Sequence, residues 1–165
     1  MKWLKALGLA LLVLFLLAQL IRPSMANPAV DETKTLYAAE PVPANVRAIL
    51  DRSCIDCHTN RTSWPWYSQI APVSWWLADH VKDARKELNF DVWGGYTPRR
   101  AARKLEEICE QVKKGEMPLE SYLPLHPKAK LSDEDRPALC QWSNAFRARI
   151  IAAHPEALRQ AQPNR

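Results

Sequence analysis

Glycine is scarce in this chain, 4 of 165 residues against 13 prolines. So small a supply leaves little for the tight turns of an all-β fold. It also argues against a Gly-rich phosphate loop, and neither G-x-G-x-x-G nor G-x-x-x-x-G-K occurs, which excludes nucleotide chemistry by the usual loops. Nor does any stretch alternate apolar and polar residues for long enough to make a convincing strand. A charge excess is missing from the body of the chain. The net charge is +5, but residues 1–30 hold Lys2, Lys5 and Arg22 and no acid, leaving 20 basic against 18 acidic residues in the remainder. A nearly balanced body without a basic stripe gives no footprint for nucleic acid. Internal repeats and low-complexity tracts are absent too.

The N-terminus sets the compartment. Met1 to Lys5 is a short basic start, and Ala6 to Ile21 is apolar apart from Gly8 and Gln19. Two readings compete over residues 1–26. A secretory signal has a basic start, an apolar stretch of about 7–15 residues and a small-x-small cleavage site, for which Ser24-Met25-Ala26 qualifies. A membrane anchor needs about 20 apolar residues, with a lower limit of roughly 17. The run from Trp3 to Ile21 reaches that limit if Lys5 snorkels, so the anchor is preferred. Both readings keep Lys2 and Lys5 in the cytoplasm and export everything after Arg22. The expected location is therefore the periplasmic side of the inner membrane.

Residues 27–43, rich in proline, alanine and charge without a period, read as a linker. A domain over residues 44–154 follows, with a tail over 155–165. Four helices are expected in it. The first starts at Pro43, with Val46, Ile49 and Leu50 on its apolar face, and runs into Cys54. The second covers Pro72 to about Leu88 with the stripe Val73, Trp76, Leu77, His80, Val81, Ala84, Leu88. The third covers about Arg99 to Lys114, with Leu105, Ile108, Cys109 and Val112 inward and Gly115 as its stop. The last is capped by Ser132 or a nearby Asp, with Leu139, Trp142, Phe146 and Ile150 inward. The fold class is all-α. Its loops are long, aromatic and rich in proline, and they need something to pack on; a large apolar cofactor would supply it.

Cys54-Ile55-Asp56-Cys57-His58 is C-x-x-C-H, the haem c attachment sequence. Two thiols three residues apart reach two vinyl groups on one ring edge. His58, four residues beyond Cys54, lies on the same side of a helical turn, so its imidazole can rise under the iron. A thioredoxin-like C-x-x-C would need a βαβ setting, and a zinc site a second paired ligand motif; neither is present. The expected cofactor is one haem c, covalent through Cys54 and Cys57.

For the sixth position on the iron, Met117 in Gly115-Glu116-Met117-Pro118 is the first candidate, though a methionine is ordinarily core filler. His80, on the apolar stripe of the second helix, comes next, then His126; His154 is expected to be exposed. Met/His and His/His ligation both occur in cytochromes. Trp64 and Trp66, near the attachment site, are expected as pocket wall, and Arg61 and Arg85 as partners of the propionates. Cys109 and Cys140 are either a disulfide of an oxidising compartment or two small buried hydrophobes.

Beyond the attachment sequence stand Asn60, Thr62, Trp64-Pro65-Trp66-Tyr67, Ala71-Pro72-Val73-Ser74-Trp75, His80-Val81, Leu88-Asn89-Phe90, Trp93, Gly115-Glu116-Met117-Pro118, Tyr122, His126-Pro127, Ala129, Leu131-Ser132 and Trp142. From about Gln19 to Trp142 the chain thereby resembles the bacterial haem-binding-domain family of small, exported, single-haem c-type proteins. The resemblance implies haem c binding and a cytochrome c-like helical fold. The chain departs from it at Asp83-Ala84-Arg85, where the family tends to have Glu-Gly-Arg, and at Asp91, where it tends to have serine. The leading expectation is electron transfer with redox partner proteins at the outer face of the membrane. A peroxidase-like enzyme and a redox or gas sensor are the alternatives.

Overall fold

The computed structural model describes residues 1–158. Among these the chain is all-helical, with seven α-helices, five short 3-10 turns and no strand. The helices are α1 (Lys2–Ala18), α2 (Leu36–Ala39), α3 (Ala44–Ser53), α4 (Ile55–His58), α5 (Val73–Glu87), α6 (Pro98–Lys114) and α7 (Asp135–Ala153). The four helices expected from periodicity correspond to α3, α5, α6 and α7.

Both ends of α6 and the start of α7 have local causes. The Thr97 hydroxyl accepts from the Arg100 N–H and Pro98 occupies the first turn of α6, where its missing donor costs nothing. Gly115 ends α6 in the left-handed region at φ 74°. The Glu116 N–H reaches back to the Gln111 carbonyl (3.0 Å) and the Gly115 N–H to that of Val112 (3.3 Å), a Schellman closure. Before α7, the Ser132 hydroxyl accepts from the Asp135 N–H (3.2 Å) and the Ser132 N–H donates to Asp135 Oδ2 (2.7 Å), a reciprocal cap.

The core lies where α6 and α7 pack together and α3 crosses α7. Leu105 and Leu139 are wholly buried there, with Leu50, Ile49, Val46, Val112, Trp142 and Phe146 around them. Cys109 and Cys140 form a disulfide that pins α6 to α7, with Cα atoms 4.6 Å apart, which decides the question that spacing left open.

Two expectations need correction. Residues 27–43 are not a free linker. Asp31 caps the turn Glu32–Lys34, Thr35 caps α2, and Leu36 is buried in the main core. Gly94 permits this approach, because a Cβ there would stand 3.2 Å from the Lys34 Cα. The apolar run from Trp3 to Ile21 is likewise not helical throughout. Gln19 leaves the helix to grip Ala71, donating to its carbonyl (3.2 Å) and accepting from its N–H (2.9 Å). The 17 residues of α1 span only about 26 Å. Among the described residues no helix is long and apolar enough to cross a membrane. Of the expected tail, Pro155–Leu158 is a 3-10 turn with Ala157 buried; residues 159–165 lie outside the described residues.

Candidate functional site

Residues 54–58 form one helical turn. The His58 N–H bonds to the Cys54 carbonyl at 3.0 Å and that of Cys57 at 3.2 Å. Cys54 itself sits at the break between α3 and α4 (φ −127°, ψ −40°). This is the local geometry that C-x-x-C-H demands, since it puts both thiols and the imidazole on one short segment. Both thiols are free, whereas the other two cysteines of the chain are paired.

Burial pushes the Cys54 thiol up to about 12 and the Cys57 thiol up to about 11. A redox-active C-x-x-C works by the opposite shift, toward thiolate. The His58 imidazole is held below its usual value, by burial first, with the backbone contacts to Leu88 and Ala84 opposing. Its Nδ1 lies 2.9 Å from the Leu88 carbonyl. That carbonyl can only accept, so Nδ1 carries the proton and Nε2 keeps its lone pair, the state a metal-binding imidazole needs.

Two cavities, of ≈ 220 and ≈ 260 Å³, have His58 and Met117 in common. The first has on its wall Cys57, Tyr67, Val73, Trp76, Leu77 and His80. The second has Cys54, Leu50, Phe90, Lys104, Ile108 and Leu139. The apolar stripe of α5 thus lines a space rather than a neighbouring helix. Val81 is buried as expected, together with Ser74 and Ala78, while Val73, Trp76, Leu77, His80 and Ala84 face the first cavity. At its second edge the site carries a buried cation, Lys104, whose Nζ is 2.6 Å from Glu107 and 3.1 Å from Glu87. Nothing in the sequence singled out Lys104, because a lysine on an amphipathic helix is solvated by default.

The other expected site residues are distributed unequally. Met117 packs against the core from beside the closure of α6 and reaches both cavities. His80 lines the first, its Nδ1 2.8 Å from the Trp76 carbonyl and its ring against that indole. His126 lines neither. It is stacked on Tyr122 (3.8 Å), with Nδ1 3.1 Å from the Tyr122 carbonyl and Nε2 3.4 Å from the Tyr67 hydroxyl, so both its nitrogens are occupied. Trp64 and Trp66 are not cavity wall either, and Trp66 is 76 % exposed. The walls come from Trp76, Tyr67 and Tyr122, because proximity in sequence to Cys57 does not place a side chain on the α5 side of it. His154 is half-exposed beside Glu156.

Arg61 and Arg85 have structural work instead of the expected propionates. Arg61 bonds Glu32 (2.7 Å) and Asp91 (3.3 Å). Arg85 donates to the Thr59 carbonyl (2.8 Å), the Thr62 hydroxyl (2.7 Å) and Asn27 Oδ1 (2.6 Å). They secure the loop after His58 to the segment before it. A buried network completes the hold: Asn89 Nδ2 donates to Asn60 Oδ1 (2.8 Å), and Asp91 Oδ2 accepts from the Asn60 N–H (2.9 Å). Asp91 therefore does not cap the turn as a serine would; Asn89 does, accepting from the Asp91 N–H (2.9 Å). Replacing Asp91 by alanine strands the buried Asn60 N–H and lowers stability by about 2 kcal/mol. Urea denaturation checks this, with Arg61→Ala, at a half-exposed residue, costing less than half as much.

The residues suit a haem on three counts: a free-thiol pair on one turn with the imidazole, a proton-defined histidine with an available Nε2, and an apolar helix face without a protein partner. Among the described residues no group of three or more His, Cys, Asp or Glu is placed to hold a metal ion, unlike the donor set of a four-ligand zinc site. No curated protein and no solved structure matches the chain. Residues 13–145 match the family model described as the haem-binding domain, and the chain belongs to that family.

Proposed function

We propose that this is an exported haem c protein that carries electrons, with Cys54 and Cys57 as the thioether links and His58 and Met117 as the axial ligands. The observation that carries the reading is the pair of cavities with His58 and Met117 in common, walled on one side by the α5 stripe. Haem supplies a one-electron ferric–ferrous couple, and the axial pair and burial tune its potential. The chain does the rest. His58 is oriented by the Leu88 carbonyl, which fixes its tautomer. Met117 offers a soft thioether held by the end of α6. Trp76, Leu77 and Leu119 line the first cavity, and Leu50, Ile108 and Leu139 the second, so both walls are largely apolar.

Export is supported by the basic start, the apolar run behind it and the Cys109–Cys140 disulfide, a bond of oxidising compartments. The redox partners are proteins at the outer face of the membrane. A peroxidase-like reading has one observation in its favour, His80 on the wall of the first cavity with Nε2 unbonded.

Visible and near-infrared spectra of the matured protein beside Met117→Ala and His80→Ala test the proposal. The wild type is low-spin and six-coordinate. Met117→Ala loses the weak near-infrared band of thioether ligation and becomes high-spin, and His80→Ala keeps both features. A wild-type spectrum that is high-spin, or that only His80→Ala alters, rejects the carrier with Met117 as ligand.

A further inference from the structure

The corner where α1 meets the domain is built as a tight contact. Gln19 holds Ala71 through both its amide atoms, Trp75 Nε1 donates to the Ile21 carbonyl (2.6 Å), and Gln69 Nε2 lies 3.4 Å from the Met25 sulfur. Ala71 is 2 % exposed, so its N–H and carbonyl rely on Gln19 for their partners. Removing residues 1–26 would strip all three contacts from the domain and open Ala71 and its neighbours to water.

Around this corner the domain exposes large apolar side chains. Trp66 is 76 % exposed, Trp76 47 %, Val73 40 % and Ile70 38 %. All four belong to the segment from Trp66 to α5 that Gln19 and Ile21 grip. Leu125, on the same cavity wall as Val73 and Trp76, is also exposed. Beside them stands α1, which has no buried residue. Arg22, exposed and flanking the same contact, puts a cation there.

We infer that residues 1–26 stay on the chain and that the face formed by Trp66, Ile70, Val73 and Trp76 lies against the surface of the bilayer into which α1 inserts. The occupant is a lipid surface because the apolar face continues directly into an apolar helix through a hydrogen-bonded corner. Tryptophan at such a level is the usual interfacial anchor, and Arg22 meets anionic headgroups. The first cavity, with Val73 and Trp76 at its solvent edge, then opens toward the headgroups rather than toward bulk water. The inference rests on the export reading above and adds an orientation to it.

Hydroxyl-radical footprinting of the full-length matured protein tests it. Samples in phosphatidylethanolamine–phosphatidylglycerol vesicles are compared with samples whose α1 is wrapped by an amphipathic polymer. Oxidation of Trp66 and Trp76 falls about five-fold or more in vesicles, as expected for side chains sunk among headgroups, while exposed Val92 is unchanged. Intact mass shows residues 1–26 present. Loss of those residues during maturation overturns retention. Retained residues with Trp66 and Trp76 equally oxidised in both samples overturn the orientation and leave export standing. Equal protection of Val92 overturns it as well, since the coverage would then not belong to this face. A haem-free but vesicle-bound and protected protein would reject the proposed function and keep this inference.

Discussion

Replacing Cys54 and Cys57 together by alanine abolishes covalent haem: made in a host competent for c-type maturation, the wild type gains the mass of one haem and keeps its colour through acid–organic extraction, and the double variant does neither. The reason is chemical. Two thioethers need two sulfurs on one turn facing one ring edge, and among the described residues the 54–58 turn alone places two free thiols beside an imidazole. Burial holds both thiols in the protonated form, so they are poor thiolate nucleophiles in the folded chain. His58→Ala separates the links from the iron bond, keeping the added mass and losing the low-spin spectrum. A wild type without added mass ends the haem c reading, whatever its visible spectrum. Pigment that survives extraction from the double variant ends the assignment of the two sulfurs.

The sequence made some of this legible and hid the rest for physical reasons. Four helices could be read because α3, α5, α6 and α7 each bury or direct an apolar face at the helical period. Val46, Ile49 and Leu50 are all buried as expected, as are Leu105, Cys109 and Val112 on α6. α2 could not be read. It is a single turn of four residues, too short to show a period, and its one buried anchor, Leu36, gains its place from long-range contacts with the turn around Trp93. The linker reading of residues 27–43 failed for the same cause, since the bonds from Asn27 to Thr62 and from Glu32 to Arg61 join segments about thirty residues apart and leave no local trace.

Within the site, short-range chemistry was readable and side-chain allocation was not. The turn at 54–58 and the position of Met117 after α6 follow from spacing and from Gly115. The allocation of Arg61 and Arg85 depended on which acceptors the fold would bring near them, and both are consumed by protein groups. Trp76 is the instructive position. It belonged to the α5 stripe from the start, and a stripe that also carried a histidine, His80, and a small residue, Ala84, was broader than one neighbouring helix could cover. That width signalled a cavity wall more directly than the tryptophans adjacent to Cys57 in sequence.

Breaking the Cys109–Cys140 disulfide should cost more stability than any single core truncation short of a large cavity. The bond closes a loop with a sequence separation of 31, for which the chain-entropy relation gives about 3.7 kcal/mol. Against a total of roughly 5–15 kcal/mol for a domain, that is a quarter or more of the margin. The loss should be felt throughout, because the bond joins the two helices that form most of the core and Leu105 and Leu139 pack beside it. Cys109→Ala/Cys140→Ala in the matured protein lowers the urea midpoint by the equivalent of about 2–4 kcal/mol. A phosphine reductant takes the wild type to the same midpoint and leaves the variant where it was, since thioethers are not reducible in this way. A double variant within about 0.5 kcal/mol of the wild type, the ordinary range of a surface substitution, would show that the two sulfurs are not joined. The same arithmetic ties stability to compartment. Kept in a reducing environment, the chain would lack this bond and that share of its margin.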